Sequence, residues 1–97
     1  MKLKLFYLPS CPHCQLALRC IDQLRAENPR YGDVEIDMID EGRQRALANS
    51  YDYWYVPCFY LDKDKLHEGH AEKEDVRRVF DKAVGEAGAK EREVASR

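Results

Sequence analysis

Hydrophobic and polar positions along this 97-residue chain switch repeatedly between a period of two and a period near 3.6. Leu3 to Leu8 predict a short buried strand, ended by Pro9-Ser10. From Pro12 to about Glu27 the pattern becomes helical, with Cys14, Ala17, Leu18, Ile21 and Leu24 recurring at steps of three and four. Asn28-Pro29 ends that helix, because a residue before proline is pushed out of the α region. Asp33 to Ile39 sets Val34, Ile36 and Met38 against Glu35 and Asp37, the signature of a strand with one wet face. Asp40 is expected to cap a short helix running to about Tyr51.

Val56-Pro57 then opens a strand over Cys58 to Leu61. Asp62-Lys63-Asp64 predicts a turn, and Lys65-Leu66-His67 a short return strand closed by Gly69. The last helix puts Val76, Val79, Phe80, Ala83, Val84 and Ala87 on one face. Residues 1–87 are expected to form the single domain, and 88–97 a polar, flexible C-terminal tail. The order is β-α-β-α-β-β-α. Its opening strand–helix–strand implies parallel pairing with a right-handed crossover, and the later pair a hairpin. A three-layer α/β sandwich around a mixed four-stranded sheet follows.

Composition narrows the function. Charged residues make up 35% of the chain but the net charge is only −2, so neither a nucleic-acid footprint nor an anionic-membrane ligand is indicated. Residues 1–21 contain Lys2, Lys4 and Arg19 and no acid, which leaves that end neutral to basic. Four cysteines at positions 11, 14, 20 and 58 do not space out as the staples of a secreted scaffold. The apolar run at the N-terminus is too short for a signal peptide and is broken by Lys4. No stretch approaches the length of a membrane span. A reducing, cytoplasmic location is expected.

The chemistry concentrates in Cys11-Pro12-His13-Cys14, where the first strand gives way to the first helix. Pro12 suits the first helical position, since its missing N–H would have no partner there. Cys11 then faces the unpaired amides and the positive end of the helix dipole. Such a setting favours the thiolate, the species that attacks disulfides, and lowers a cysteine pKa to roughly 3.5–7.5. Cys14, nearly a turn further in, is expected to be more buried and to resolve the mixed disulfide. His13 can donate to the Cys11 sulfur or add charge when protonated, and either effect makes the disulfide more oxidising.

These residues resemble the thioredoxin/glutaredoxin superfamily. The resemblance spans about residues 2–84, with Cys-Pro-x-Cys after the first strand and Val56-Pro57 opening the third. It implies a thioredoxin-like, glutaredoxin-type fold and a thiol–disulfide oxidoreductase. It also implies a cis bond before Pro57, and a backbone at Val56 that pairs with an incoming substrate chain. The extra N-terminal β-α unit of full thioredoxins is expected to be absent, which makes this a short, glutaredoxin-like form. Departures are visible. The first strand lacks the buried acid of thioredoxins; glutaredoxins follow the return strand with Gly-Gly and acids that hold glutathione, whereas here Gly69 alone is followed by His70-Ala71-Glu72-Lys73. Tyr55 stands where they often have threonine.

The resemblance implies no bound cofactor. Electrons would come from a flavoprotein disulfide reductase or from glutathione, the substrates would be disulfide-containing proteins, and the chain is expected to act as a monomer. A redox-sensing or binding module without turnover is the rival reading.

Among the remaining candidates, Cys20 lies about 9 Å along the helix from Cys14, beyond the roughly 7 Å that a disulfide tolerates, and is expected to be a packing thiol. Cys58, next to Pro57, is either an auxiliary redox thiol or a core residue pointing away from Cys11. Trp54 and Tyr55 could line a groove for a partner's extended chain, and Gly69 is assigned to substrate binding with them. His67 and His70 are expected at the surface, flanking a turn. A zinc site is not expected, because no second cysteine pair accompanies Cys11 and Cys14.

Overall fold

A computed structural model of the chain describes the backbone of residues 2–95 and the side chains of residues 3–85. Four strands and four helices follow in the order β1 (Lys2–Tyr7), α1 (Pro12–Glu27), α2 (Pro29–Gly32), β2 (Glu35–Asp40), α3 (Arg45–Asn49), β3 (Cys58–Leu61), β4 (Asp64–Glu68) and α4 (Lys73–Ala95). The sheet is mixed, in the order β2-β1-β3-β4. β1 runs parallel to β2 with Phe6 opposite Ile39, and antiparallel to β3 with Phe6 opposite Cys58. β4 returns beside β3 with Cys58 opposite Glu68.

Alternation along β1 divides the interior in two. Leu3 and Leu5 point to one face, where α1 and α4 cover them with Ala17, Ile21, Leu24, Val76, Val79 and Phe80. Phe6 points to the other, packing with Ile39, Ala48, Cys58 and Tyr60. Helices on both faces of one sheet give the expected three layers.

Several local expectations change. The buried stripe of α1 includes Cys20, while Leu18 is only half-buried. Cys20 is thus a packing thiol, and burial pushes its pKa up. Pro29 starts a helix as well as ending one, since the Asn28 side chain accepts the Arg30 N–H at 3.0 Å and caps α2. That turn carries Tyr31 inward, stacked on Phe80 with ring centroids 4.9 Å apart and its hydroxyl donating to Asp81. β2 is an edge strand, so its period-two pattern is only half expressed: Met38 is exposed, whereas Ile39 on the opposite face is fully buried.

Asp40 caps a turn rather than a helix. Its side chain accepts the N–H groups of Gly42 and Arg43, and α3 begins only at Arg45 and ends at Asn49, short of Tyr51. α4 keeps its expected face through Ala83 and its backbone stays helical past Gly88 to Ala95. The side chain of Ala87 and the flexibility expected of residues 88–97 lie outside the described residues.

Candidate functional site

Strand direction collects the site. The C-terminal ends of β1 and β2, the N-terminal end of β3 and the C-terminal end of β4 all lie at one edge of the sheet. The loops leaving that edge carry Cys11, Glu41, Pro57 and Gly69, the arrangement by which open α/β sheets place their sites beyond the carboxyl ends of parallel strands.

Cys11 is the N-cap residue of α1, in extended conformation, with Pro12 at the first helical position. Its N–H donates to Leu8 O at 3.1 Å, and its carbonyl accepts the first helical bond from Gln15 N–H at 3.0 Å. The sulfur closes no cap hydrogen bond of full geometry. The amide of Cys14 nevertheless lowers the Cys11 pKa, burial opposes it less strongly, and the amide of His13 adds a smaller lowering. The cause is the partial positive charge of unpaired N–H groups at a helix start, which favours a thiolate over a thiol.

Cys14 differs in every respect. It is buried against the sheet, its sulfur accepts the Leu8 N–H at 3.4 Å, and burial pushes its pKa up to about 11. One helix start therefore holds an accessible thiol inclined to ionise and an enclosed one held neutral.

The His13 ring meets the β4–α4 loop. Its Nδ1 lies 2.8 Å from Nδ1 of His70, and among the described residues no hydrogen bond joins it to the Cys11 sulfur. The expected direct donation to sulfur is thus replaced by a contact with the β4–α4 loop. His70 in turn reaches Glu72 Oε1 through Nε2 at 2.7 Å.

The Val56–Pro57 peptide is cis, and Pro57 is fully buried. Gly69, at φ +88°, donates its N–H to Pro57 O at 2.9 Å. Only glycine adopts that φ without strain, so the residue shapes the proline loop, and its amide is already engaged. Just upstream, the backbone is clamped from the hairpin. Glu68 Oε2 accepts the N–H groups of Trp54 and, at 3.0 Å, Tyr55, while its Oε1 accepts from Lys65 Nζ at 2.8 Å. Asp52 O receives Tyr60 Oη–H at 2.6 Å and Lys65 Nζ at 3.2 Å. The lysine, then the two amides, hold Glu68 down at about 2. The clamp leaves Trp54 85% and Tyr55 70% exposed on a fixed backbone. Trp54 also borders an open cavity of about 710 Å³ with Leu8, Glu41, Arg45 and Tyr53.

Cys58 does not join the site. It is fully buried on the α3 side of the sheet beside Phe6 and Tyr60, and burial pushes its thiol up to about 12. The auxiliary redox role entertained for it gives way to packing. Among the described residues no three His, Cys, Asp or Glu side chains gather to hold a metal ion, and no helix is long and apolar enough to cross a membrane.

The chain is 32% identical over 74 residues to a thioredoxin from Methanocaldococcus jannaschii, a match covering 76% of this chain and 85% of that protein. It belongs to the thioredoxin/glutaredoxin superfamily. A probable thioredoxin from Methanothermobacter marburgensis is 29% identical over 63 residues, covering 64% of this chain and 71% of its own length. A solved structure of a malarial protein, 15% identical, superposes with a TM-score of 0.62 over 82% of this chain and 92% of that one, which extends the likeness to the fold. No protein-family model matches the sequence.

Glu68, His70 and Glu72 are the residues around this candidate site that sequence reasoning did not assign to it. Their neighbour Gly69 was the only local signal, since Glu68 and His70 act on residues far away in the chain and Glu72 acts through His70.

Proposed function

We propose that the chain is a thiol–disulfide oxidoreductase that reduces or exchanges disulfides of other proteins through Cys11 and Cys14. The observation carrying this is the contrast between the two thiols: Cys11 partly exposed with its pKa lowered, Cys14 enclosed and pushed up to about 11. In the reducing direction the Cys11 thiolate attacks one sulfur of the substrate disulfide. The substrate S–S bond breaks, a mixed disulfide forms, and the departing thiolate takes up a proton. Cys14 then loses its proton and attacks the Cys11 sulfur, releasing the second substrate thiol and leaving a Cys11–Cys14 disulfide. Two electrons pass from the dithiol to the substrate.

Pro12 starts the helix that activates Cys11, and His13 tunes the thiolate. Val56 offers its backbone to the substrate chain, with Pro57 and Gly69 shaping that edge and Trp54 and Tyr55 supplying aromatic contact. The exchange needs no bound cofactor. A flavoprotein disulfide reductase or glutathione returns the electrons, and the protein works as a monomer in a reducing cytoplasm.

The test is reduction of insulin disulfides, followed as NADPH consumption with either thioredoxin reductase or the glutathione/glutathione reductase couple as the recycling system. Turnover with at least one couple, lost in Cys11→Ser, is the expected result. No acceleration with either, in a protein whose dithiol still oxidises reversibly, overturns the proposal in favour of a sensor.

A further inference from the structure

The β4–α4 loop brings a second and a third ionisable group to the edge of the dithiol. His70 Nε2 lies 2.7 Å from Glu72 Oε1 and His70 Nδ1 lies 2.8 Å from His13 Nδ1, the two rings standing nearly perpendicular with centroids 4.9 Å apart. The loop is held on both sides of the ring. His67 Nε2–H donates to the His70 carbonyl at 2.8 Å, Ala71 is fully buried, Glu72 N–H donates to Asp75 Oδ2 at 2.9 Å, and Gly69 N–H donates to Pro57 O.

We propose that His70, oriented by Glu72, is a positioning residue that fixes the tautomer of His13 and makes the two imidazoles bind a single shared proton beside Cys11. This deepens the dithiol reading and rests on it for its functional meaning. The argument is hydrogen-bond arithmetic. An ionised carboxylate can only accept, so the His70 nitrogen facing Glu72 carries the proton. A neutral His70 then presents a bare Nδ1, and the bond between the rings requires the proton on His13 Nδ1. Neutral His13 is left with a bare Nε2, an acceptor.

Two N–H groups cannot face each other at this separation, so as long as the rings stay in contact the pair takes up one proton and not two. It enters at His13 Nε2, the one open nitrogen, and turns that atom from acceptor to donor. Whichever ring then holds the charge, His13 Nε2 stays protonated, because a proton moved to His70 comes from His13 Nδ1. One ionisation therefore sets both the charge and the hydrogen-bonding sense of the residue between the cysteines.

The titratable groups around this pair are Cys11 and Cys14, near neighbours of His13 in the chain, Glu72 from the loop, His67 from β4 and Asp75 from α4, whose carboxyl His67 and His70 help to hold down. Among the described residues only Glu72 hydrogen-bonds a ring nitrogen of the pair from outside, which is why it decides the tautomer.

Long-range proton–nitrogen NMR of the reduced, nitrogen-labelled full chain tests this without any activity assay. Neutral His13 is expected in the Nδ1–H form, with both rings responding at one common midpoint and one proton gained between them. His70→Ala, a change at a half-exposed side chain, is expected to shift neutral His13 to the Nε2–H form preferred by a free imidazole. Glu72→Gln, whose amide can donate as well as accept, is expected to give a mixture. A neutral His13 found as Nε2–H in the unaltered protein, two rings titrating independently, or a His13 tautomer unchanged by His70→Ala overturns the proposal. The pH profile of Cys11 alkylation adds the link to the dithiol: an inflection at the midpoint of the pair is expected, displaced in His70→Ala. Its absence shows that the pair does not act on Cys11 and also overturns the proposal. Failure of insulin turnover with the tautomer as expected would instead sink the oxidoreductase reading alone.

Discussion

Glu68, at the end of the return strand, accepts the backbone N–H of Tyr55 at 3.0 Å and so fixes a loop thirteen residues earlier in the chain. The same carboxylate takes the Trp54 N–H. Two aromatic side chains therefore stay exposed while their backbone is restrained, which suits the proposed docking of a substrate chain: little ordering entropy remains to be lost on binding.

Removing the clamp in Glu68→Ala should free the loop without touching the dithiol. Fluorescence anisotropy of Trp54, the chain's single tryptophan, is expected to fall. KM for a protein disulfide is expected to rise about three- to tenfold, the scale of one ordinary net hydrogen bond. The rate of Cys11 alkylation should not change. Because the Glu68 pKa lies well below its unfolded value, the clamp is fully formed above about pH 4.3 and is lost as pH falls through about 2. Acid titration of the anisotropy checks the sign.

Gly69 shapes the same edge. Its φ of +88° is strained for any residue with a Cβ. Gly69→Ala is expected to destabilise the fold by about 1 kcal/mol, read from chemical denaturation, and to weaken the Pro57 contact that its amide makes.

Cys58 and Cys20 should resist alkylation until the protein is unfolded, since both thiols are enclosed. Cys58→Ser introduces a hydroxyl into an apolar face and should cost about 1–3 kcal/mol while leaving turnover intact. The buried thiols also set a pH trend. Cys14 and Cys58 hold their protons up to about 11 and 12 when folded, against about 8.5 when unfolded. Between those values the native state binds more protons, so stability of the reduced protein should fall as pH rises. Cys58→Ala removes part of that slope in denaturation curves measured across alkaline pH.

What the sequence disclosed was whatever depends on neighbours in the chain. Periodicity located β1, α1, β3 and α4, and the spacing of Pro12 between the cysteines placed Cys11 at a helix start. It ended α4 too early because Gly88 costs a helix only about 1 kcal/mol, an amount that its helix-forming neighbours Ala87, Ala89 and Lys90 can offset. It overlooked α2 because four residues are too few to show a period, and Tyr31 found its place only against Phe80, far along the chain. It put His70 on the surface as a bystander, which its exposure bears out, but no spacing could reveal that His13 lies within hydrogen-bond reach. The same holds for Glu68, whose partners are Trp54 and Tyr55. Contacts closed by tertiary folding leave no local trace in one sequence.

The claim on which the account depends is that the amides of Cys14 and His13 favour the Cys11 thiolate. Its most direct test is alkylation of the reduced protein across pH, with the modified cysteine identified by peptide mapping. Cys11 alone should react at neutral pH, with a midpoint well below the value of about 8.5 for a free cysteine. A midpoint at that free value, or equal labelling of Cys14, Cys20 or Cys58 in the folded chain, would contradict it.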